Sequence, residues 1–361
     1  MPTSPARLDS LTSLRFFAAG AVVLYHVGVQ VEPLAGTDLV FGLGYTGVTF
    51  FFVLSGFVLT WTRRDDDTVR SFYWRRFARV WPLHALTAVA AAVLLLSRGE
   101  EISAFAAATT AFLVQAWFRD PETTYALNGV SWTLSCEAFF YAVFPFLAPQ
   151  VLRFSPRAVL GGLVALTWLT VIAVAVVLPR QSDGWLLLNN PTFRVLEFAI
   201  GIALARYVQE GRRPPLSLPQ AAWLVVGVFV GVSVGASLVE DAGLGRLTLG
   251  FAGAIVLVPL MTLIAAAAHS DLGGSRTWLH RPVLVRLGQW SFALYLVHEL
   301  VLRAFRPLTE DLAWPVAVLA AVVLVGFAQL VAAVLHQGFE APVERRLREA
   351  GKVPTPLDGR T

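Results

Sequence analysis

Eleven apolar blocks follow one another along the chain, separated by short polar turns. They run approximately Leu11–Val31, Thr46–Trp61, Val80–Leu96, Ser103–Phe118, Trp132–Leu152, Ala158–Leu178, Pro191–Tyr207, Gln220–Leu238, Leu247–Ala268, Leu287–Arg303 and Ala313–Leu335. A helix needs about 20 apolar residues to cross the hydrocarbon layer of a bilayer. Runs near this length with few charges predict spanning helices. The expected fold is an all-α polytopic membrane helix bundle.

The charges between the blocks predict the threading. Cytoplasmic turns of membrane proteins carry an excess of Arg and Lys. The segment Arg63–Arg79 holds Arg63, Arg64, Arg70, Arg75, Arg76 and Arg79 and is expected inside. The turn Glu32–Tyr45 has acids but no Arg or Lys and is expected outside. Inner turns are also expected at Arg153 and Arg157, at Arg206, Arg212 and Arg213, and at Arg276, Arg281 and Arg286; Arg345, Arg346, Arg348 and Lys352 place the C-terminus inside. These assignments fit ten crossings with both termini cytoplasmic in a cell membrane, provided that Ser103–Leu152 crosses once. The short block Ser103–Phe118 is then expected to re-enter or to lie in the interface. Thr37 falls outside and Asp66 inside. One transmembrane domain is expected over residues 1–348, with a disordered tail over 349–361 that contains Pro354, Pro356 and Gly359. The first block has no small-residue cleavage site and is expected to be a retained helix.

Composition agrees with this picture. The chain has 361 residues, is 56% hydrophobic and 14% charged, and has a mean hydropathy of +0.65. A soluble domain carries about 25% charged residues. The 28 basic and 24 acidic residues leave a small positive balance that inner turns absorb, so no nucleic-acid partner is expected. Lys352 is the only lysine. Arginine supplies the rest of the positive charge, and its planar fork suits phosphate recognition. Cys136 is the only cysteine, which excludes an intrachain disulfide and a cysteine-based metal site.

Three places carry candidate chemistry. Arg15 and His26 sit eleven positions apart in the first block, among Phe16, Phe17, Ala18, Ala19, Ala21, Val22, Val23 and Leu24. Eleven residues are about three helical turns, so the pair shares a face at levels roughly 16 Å apart. An ionisable side chain facing lipid costs about 2.5–3.5 kcal/mol, so such residues usually face a protein interior or an aqueous cavity. His26 can take a proton from a hydroxyl near neutral pH. It also suits a plain interhelical hydrogen bond, and Arg15 suits snorkelling to the headgroups.

The second place is Phe72–Pro82, FYWRRFARVWP, where Arg75 and Arg79 share a helix face with Arg76 beside them. It fits both a cytoplasmic anchor with an aromatic belt and a clamp for a polyphosphate. The third is Ser131–Tyr141, SWTLSCEAFFY, where Glu137 lies among apolar and aromatic residues. A carboxylate there needs an Arg, a His or a substrate hydroxyl. Glu197 is similar and reads as structural. His298 is a weaker candidate beside Glu299, and His84 follows Pro82 near the inner surface. His269, His280 and His336 read as loop or interface residues. Asp9 and Ser10 are expected to cap the first helix. No pair of histidines four apart with a nearby carboxylate occurs, so no metal is expected.

Taken together these segments resemble the integral-membrane acyltransferase-3 family. The resemblance lies in RLDSLTSLRFFAAGAVVLYH, GYTGVTFFFVLSGFVLT, FYWRRFARVWP and NGVSWTLSCEAFFY, then in NNPTFRVLEFAIG, LGQWSFALYLVHE and FEAPVERR. They occur in the family's order and cover nearly the whole chain. Cys136 and Ala138 depart from the pattern, since relatives often carry Val and a second Glu there. No counterpart of the extracytoplasmic hydrolase-like domain of some relatives is expected. The resemblance implies transfer of an acyl group, commonly acetyl, from acyl-CoA to a hydroxyl of a carbohydrate, a cell-envelope glycan or a glycosylated natural product. It implies that His26 is the catalytic base, that Arg15 acts with it on the donor, and that Arg75, Arg76 and Arg79 hold the coenzyme's phosphates. Acyl-CoA is then a donor substrate, and no permanently bound cofactor is expected.

Two other classes compete. A secondary transporter would use Arg15, His26 and Glu137 as a substrate or proton relay. It predicts discontinuous helices in two corresponding repeats, and the sequence shows no such symmetry. A non-catalytic scaffold leaves the histidine and the arginine cluster without a joint purpose.

Overall fold

The computed structural model describes residues 6–34, 42–64, 67–177, 184–240 and 245–351. Thr37, Asp66 and residues 352–361 lie outside the described residues, whereas Glu349 and Ala350 end the last helix. No strand occurs among the described residues. The helices are α1 (Asp9–Gln30), α2 (Gly47–Trp61), α3 (Val69–Ser97), α4 (Ala104–Ala111), α5 (Trp132–Val151), α6 (Pro156–Val177), α7 (Pro191–Gln209), α8 (Leu218–Glu240), α9 (Gly245–Leu272), α10 (Pro282–Phe305), α11 (Trp314–Leu335) and α12 (Ala341–Ala350), with short helical turns between some of them.

Among the described residues, eight helical segments are long and apolar enough to span a membrane. Two more, α7 with 19 residues and α10 with 24, have spanning length but carry charged side chains. The arginine pattern predicts ten crossings, which would need both of these as well as the eight. The contacts between them set their relative directions. Along α1 and α10, Ser13 meets Leu279 just ahead of α10, Thr12 meets Gly288, and His26 meets His298, so the two helices run the same way. Thr49 meets Arg194 and Glu197, and Gly56 meets Phe198 and Ile202, so α2 and α7 are also parallel. Ser10 at the start of α1 bonds Asp271 at the end of α9, and Phe72 on α3 stacks on Phe144 on α5 while Trp81 and Ala138 line one cleft farther along the same pair. Both of those pairs are antiparallel. These directions fit helices that alternate in direction along the chain.

The Ser103–Phe118 block folds as only eight helical residues, α4. Leu113 ends it in a left-handed conformation with φ 58°. Such a backbone costs of order 1–3 kcal/mol and turns the chain back. Gln115 then donates to the Ser131 carbonyl at 3.0 Å, and the Ala116 amide donates to Ser135 Oγ at 3.3 Å, docking the segment on the start of α5.

Apolar packing gains nothing from water exclusion where the surroundings are lipid, so close backbone approach at small residues matters more. Gly56 and Gly201 face each other's helices, and a Cβ on either would strike a carbonyl of the neighbour, Phe198 or Val53. Phe52, Phe140 and Phe198 fill the space beside this crossing, with ring centroids 5.0 Å apart in both successive pairs. The expected cap of α1 is corrected: Leu8 holds the N-cap position without a side-chain bond, Asp9 is in the first turn, and the Ser10 hydroxyl is drawn to Asp271 across the bundle.

Candidate active site

The polar side chains of α1 fall into two clusters, one near each end of the helix. Arg15 is half-buried at the level of α3, α5 and the last turns of the chain. It lies in the electrostatic field of Arg79, Glu340, Glu137 and Tyr141, and no carboxylate among the described residues pairs with it directly. Glu137 accepts a hydrogen bond from the Tyr141 hydroxyl at 2.9 Å, one turn along α5. The structure thus brings Arg15, Glu137 and Arg79 to one neighbourhood from three distant parts of the sequence.

The three clustered arginines are held differently. Arg79 pairs with Glu340 at 2.5 Å and Glu344 at 3.0 Å. Glu340 ends a π-helical turn, His336–Glu340, and also accepts from His336 at 2.9 Å. Arg75 pairs with Asp67 at 2.7 Å. Arg76 instead lines a cleft of about 190 Å³ with Tyr73, Phe77, Trp81, Ala138 and Tyr141, and its Nε has no hydrogen-bond partner among the described residues. The anchor at this end is tightened by the Trp74 indole, which donates to the Leu347 carbonyl at 2.6 Å. Sequence periodicity predicts the shared face of Arg75 and Arg79. It does not reveal Glu340 and Glu344, which lie 261 and 265 residues from Arg79.

Nearer the other end, His26 is half-buried and His298 fully buried. His298 Nε2 lies 3.3 Å from His26 Nδ1, with ring centroids 5.0 Å apart. His26 Nδ1 is 2.9 Å from the Val22 carbonyl, and His298 Nδ1 is 3.1 Å from the Leu294 carbonyl. Tyr25 and Tyr295 flank the pair, at 5.1 Å from His26 and 5.9 Å from His298 between centroids. Glu299 is one residue on, and it accepts from Arg303 at 2.5 Å and from the Gly129 amide at 2.7 Å. It therefore holds the loop before α5. The sequence ranks His298 low, and one signal could have raised it. His26 is 17 residues beyond the start of α1 at Asp9, and His298 is 16 beyond the start of α10 at Pro282. On parallel helices that near-equal depth brings the two rings level.

The remaining candidates make contacts between elements of the bundle. Glu197 pairs with Arg194 at 2.8 Å and accepts from Thr49 at 3.1 Å, inside the α2–α7 contact. His84 Nε2 lies 2.9 Å from the Thr110 carbonyl and ties α3 to α4. His280 pairs with Asp271 at 3.1 Å, the carboxylate that receives Ser10.

Comparisons with known proteins give the family. The family model described as an acyltransferase domain, Acyl_transf_3, matches residues 8–335. The chain is 35% identical over 390 aligned residues to the acyltransferase MdmB of Streptomyces mycarofaciens, covering 100% of this chain and 98% of that one. It is 26% identical over 321 residues to the O-acetyltransferase OatA of Staphylococcus aureus, and 23% identical over 344 residues to the peptidoglycan O-acetyltransferase OatA of Listeria monocytogenes. These matches cover 82% and 84% of this chain but only 50% of each OatA protein. No solved structure matches. With the family match running over residues 8–335 of an all-α bundle that holds at least eight helices of membrane-spanning length and composition, the chain belongs to the acyltransferase-3 family and is a multi-pass membrane acyltransferase.

Proposed function

We propose that the protein is an O-acyltransferase that moves an acyl group, acetyl by default, from acyl-CoA to a hydroxyl of a carbohydrate, a cell-envelope glycan or a glycosylated natural product. The observation that carries the reading is the two-level polar face of α1. Arg15 stands beside the Glu137 and Arg79 cluster, and His26 stands about three turns farther along the same helix. The donor's charged end would lie at the first level, inside the cell, where acyl-CoA is made. Its pantetheine arm would carry the thioester toward His26. The acceptor would approach from the opposite side of the membrane.

Arg76 is the arginine best placed to meet a phosphate, because Arg75 and Arg79 already hold carboxylates. Arg75 and Arg79 flank it and would hold the donor's phosphates by exchanging those carboxylate partners. At the thioester, His26 accepts the proton of the acceptor hydroxyl as its oxygen attacks the carbonyl carbon. The C–S bond then breaks, the ester leaves, and the CoA thiolate takes the proton back from the imidazolium. The base never accumulates a net change. Arg15 and Glu137 act on the donor side in this scheme.

The relatives support a hydroxyl acceptor, since two of them are named O-acetyltransferases and the Listeria monocytogenes protein is named for peptidoglycan. The test is release of free CoA from acetyl-CoA by membranes that contain the protein. Release that depends on a hydroxylated glycan or glycoside acceptor supports the reading, and none with any acceptor class or acyl donor contradicts it.

A further inference from the structure

The two rings at the far level of α1 carry an arrangement of protons that the general-base reading does not by itself require. A carbonyl oxygen can only accept a hydrogen bond. His298 Nδ1, 3.1 Å from the Leu294 carbonyl, therefore carries its ring proton. In the neutral imidazole the other nitrogen, Nε2, is then a lone pair. That lone pair faces His26 Nδ1 at 3.3 Å. His26 Nδ1 also faces the Val22 carbonyl at 2.9 Å. Two acceptors thus converge on one nitrogen of His26.

If His26 carried its proton on Nε2, its Nδ1 lone pair would point at two other lone pairs with no hydrogen between them. Inside a helix bundle that loss is large, because an unsatisfied buried polar group costs about 1–3 kcal/mol. With the proton on Nδ1, both acceptors are served and His26 Nε2 is left as the basic nitrogen. The second nitrogen of a histidine is set by the bond that the first one makes.

We infer that His298 is a positioning residue which, with the Val22 carbonyl, fixes His26 in the Nδ1–H tautomer and so presents His26 Nε2 as the proton acceptor. This rests on the reading of His26 as the base. His298 is not an alternative base in this arrangement. It is fully buried, one of its nitrogens is committed to Leu294, and the other to His26. When His26 takes the acceptor's proton on Nε2, its Nδ1–H still points at His298, so the imidazolium keeps a partner throughout the transfer.

The other titratable groups around the pair do not offer the same control. Tyr25, on α1, touches the His26 ring edge-on and packs on Tyr45 from the next segment. The Tyr295 hydroxyl is occupied by Thr133 and the Val130 carbonyl. Glu299 is occupied by Arg303 and Gly129. His298 alone, among these side chains, meets a ring nitrogen of His26.

The test combines kinetics with nitrogen NMR of histidine-labelled protein in membranes, His26 being assigned by its loss in His26→Ala. In the unmodified protein His26 should show a protonated Nδ1 and an unprotonated Nε2. His298→Leu removes the acceptor; the His26 tautomers should mix, and kcat should fall at least roughly ten-fold with KM for donor and acceptor unchanged. His298→Gln places an amide oxygen where Nε2 stood and should recover most of kcat, which separates positioning from a packing defect. His298→Leu added to His26→Ala should cost nothing further, since the effect runs through His26. An Nε2–H tautomer in the unmodified protein, or a His26 spectrum and kcat indifferent to His298→Leu, overturns the inference. A tautomer that shifts in His298→Leu while kcat does not would instead leave the positioning in place and remove His26 as the base.

Discussion

Gly288 lies so close to the main-chain carbonyl of Thr12 that no side chain fits between α1 and α10. This contact sets the depth at which the two parallel helices meet, and the same register brings His298 to His26 farther along. Even a methyl group at 288 must push against backbone. Overpacking of this kind costs about 1–3 kcal/mol.

Gly288→Ala should therefore lower the melting temperature of the purified protein and reduce acyl transfer together, because the histidine pair moves with the register. Gly20, on the same helix as His26, has nothing within 4 Å of an added Cβ. Gly20→Ala is the control and should leave both unchanged. Equal melting and equal activity for the two variants would mean that the close approach imposes no constraint.

The donor end yields a second prediction. Each charge-assisted phosphate contact removed should cost about 1.5–3 kcal/mol, or roughly ten-fold to a hundred-fold in affinity. Arg76→Ala should weaken CoA binding most among the single variants, since Arg75 and Arg79 are engaged by Asp67, Glu340 and Glu344. Arg76→Lys should recover part of the loss, because an ammonium cannot make the bidentate fork. Binding is read by calorimetry on folded protein. If the triple Ala variant at 75, 76 and 79 bound CoA normally, the cluster would serve orientation in the membrane alone.

Topology gives a third. The ten-crossing threading puts Thr37 on the outer side and Asp66 on the inner side. Cys136 is fully buried and the chain has no other cysteine, so single cysteines introduced at 37 and 66 report cleanly in Cys136→Ser protein. A membrane-impermeant thiol reagent added to intact cells should label the first and miss the second until the membrane is opened. Labelling of both from the outside would refute the orientation.

Much of this protein is legible in its hydrophobic pattern. The blocks give the helices, and the eight-residue α4 turns back as the charge pattern requires of Ser103–Phe118. The arginine pattern predicts an even number of crossings, which the labelling of residues 37 and 66 is chosen to test. What periodicity does not contain is which helices meet. It places Arg15 and His26 on one face but cannot say that α10 covers that face, 272 residues away at the histidines. The decisive residues for that are glycines at Gly56, Gly201 and Gly288, which carry no hydrophobic signal. Helix starts also shift: α3 begins at Val69, so most of the arginine segment is helix, and two of its charges, Arg75 and Arg79, are fixed in place by Asp67, Glu340 and Glu344. The π-helical turn that delivers Glu340 has no sequence signature of its own.

The central claim is that His26 is the base for the acceptor hydroxyl, and one measurement tests it most directly: acyl transfer from labelled acetyl-CoA by His26→Ala and His26→Gln proteins present at normal level. A positioned base typically contributes about 10²–10⁴-fold. Both variants should therefore bind CoA as the unmodified protein does and lose at least roughly a hundred-fold in transfer. Gln keeps some hydrogen bonding but cannot take the proton, so it should be no better than Ala. Near-normal transfer by either variant would contradict the account and remove His26 from the mechanism.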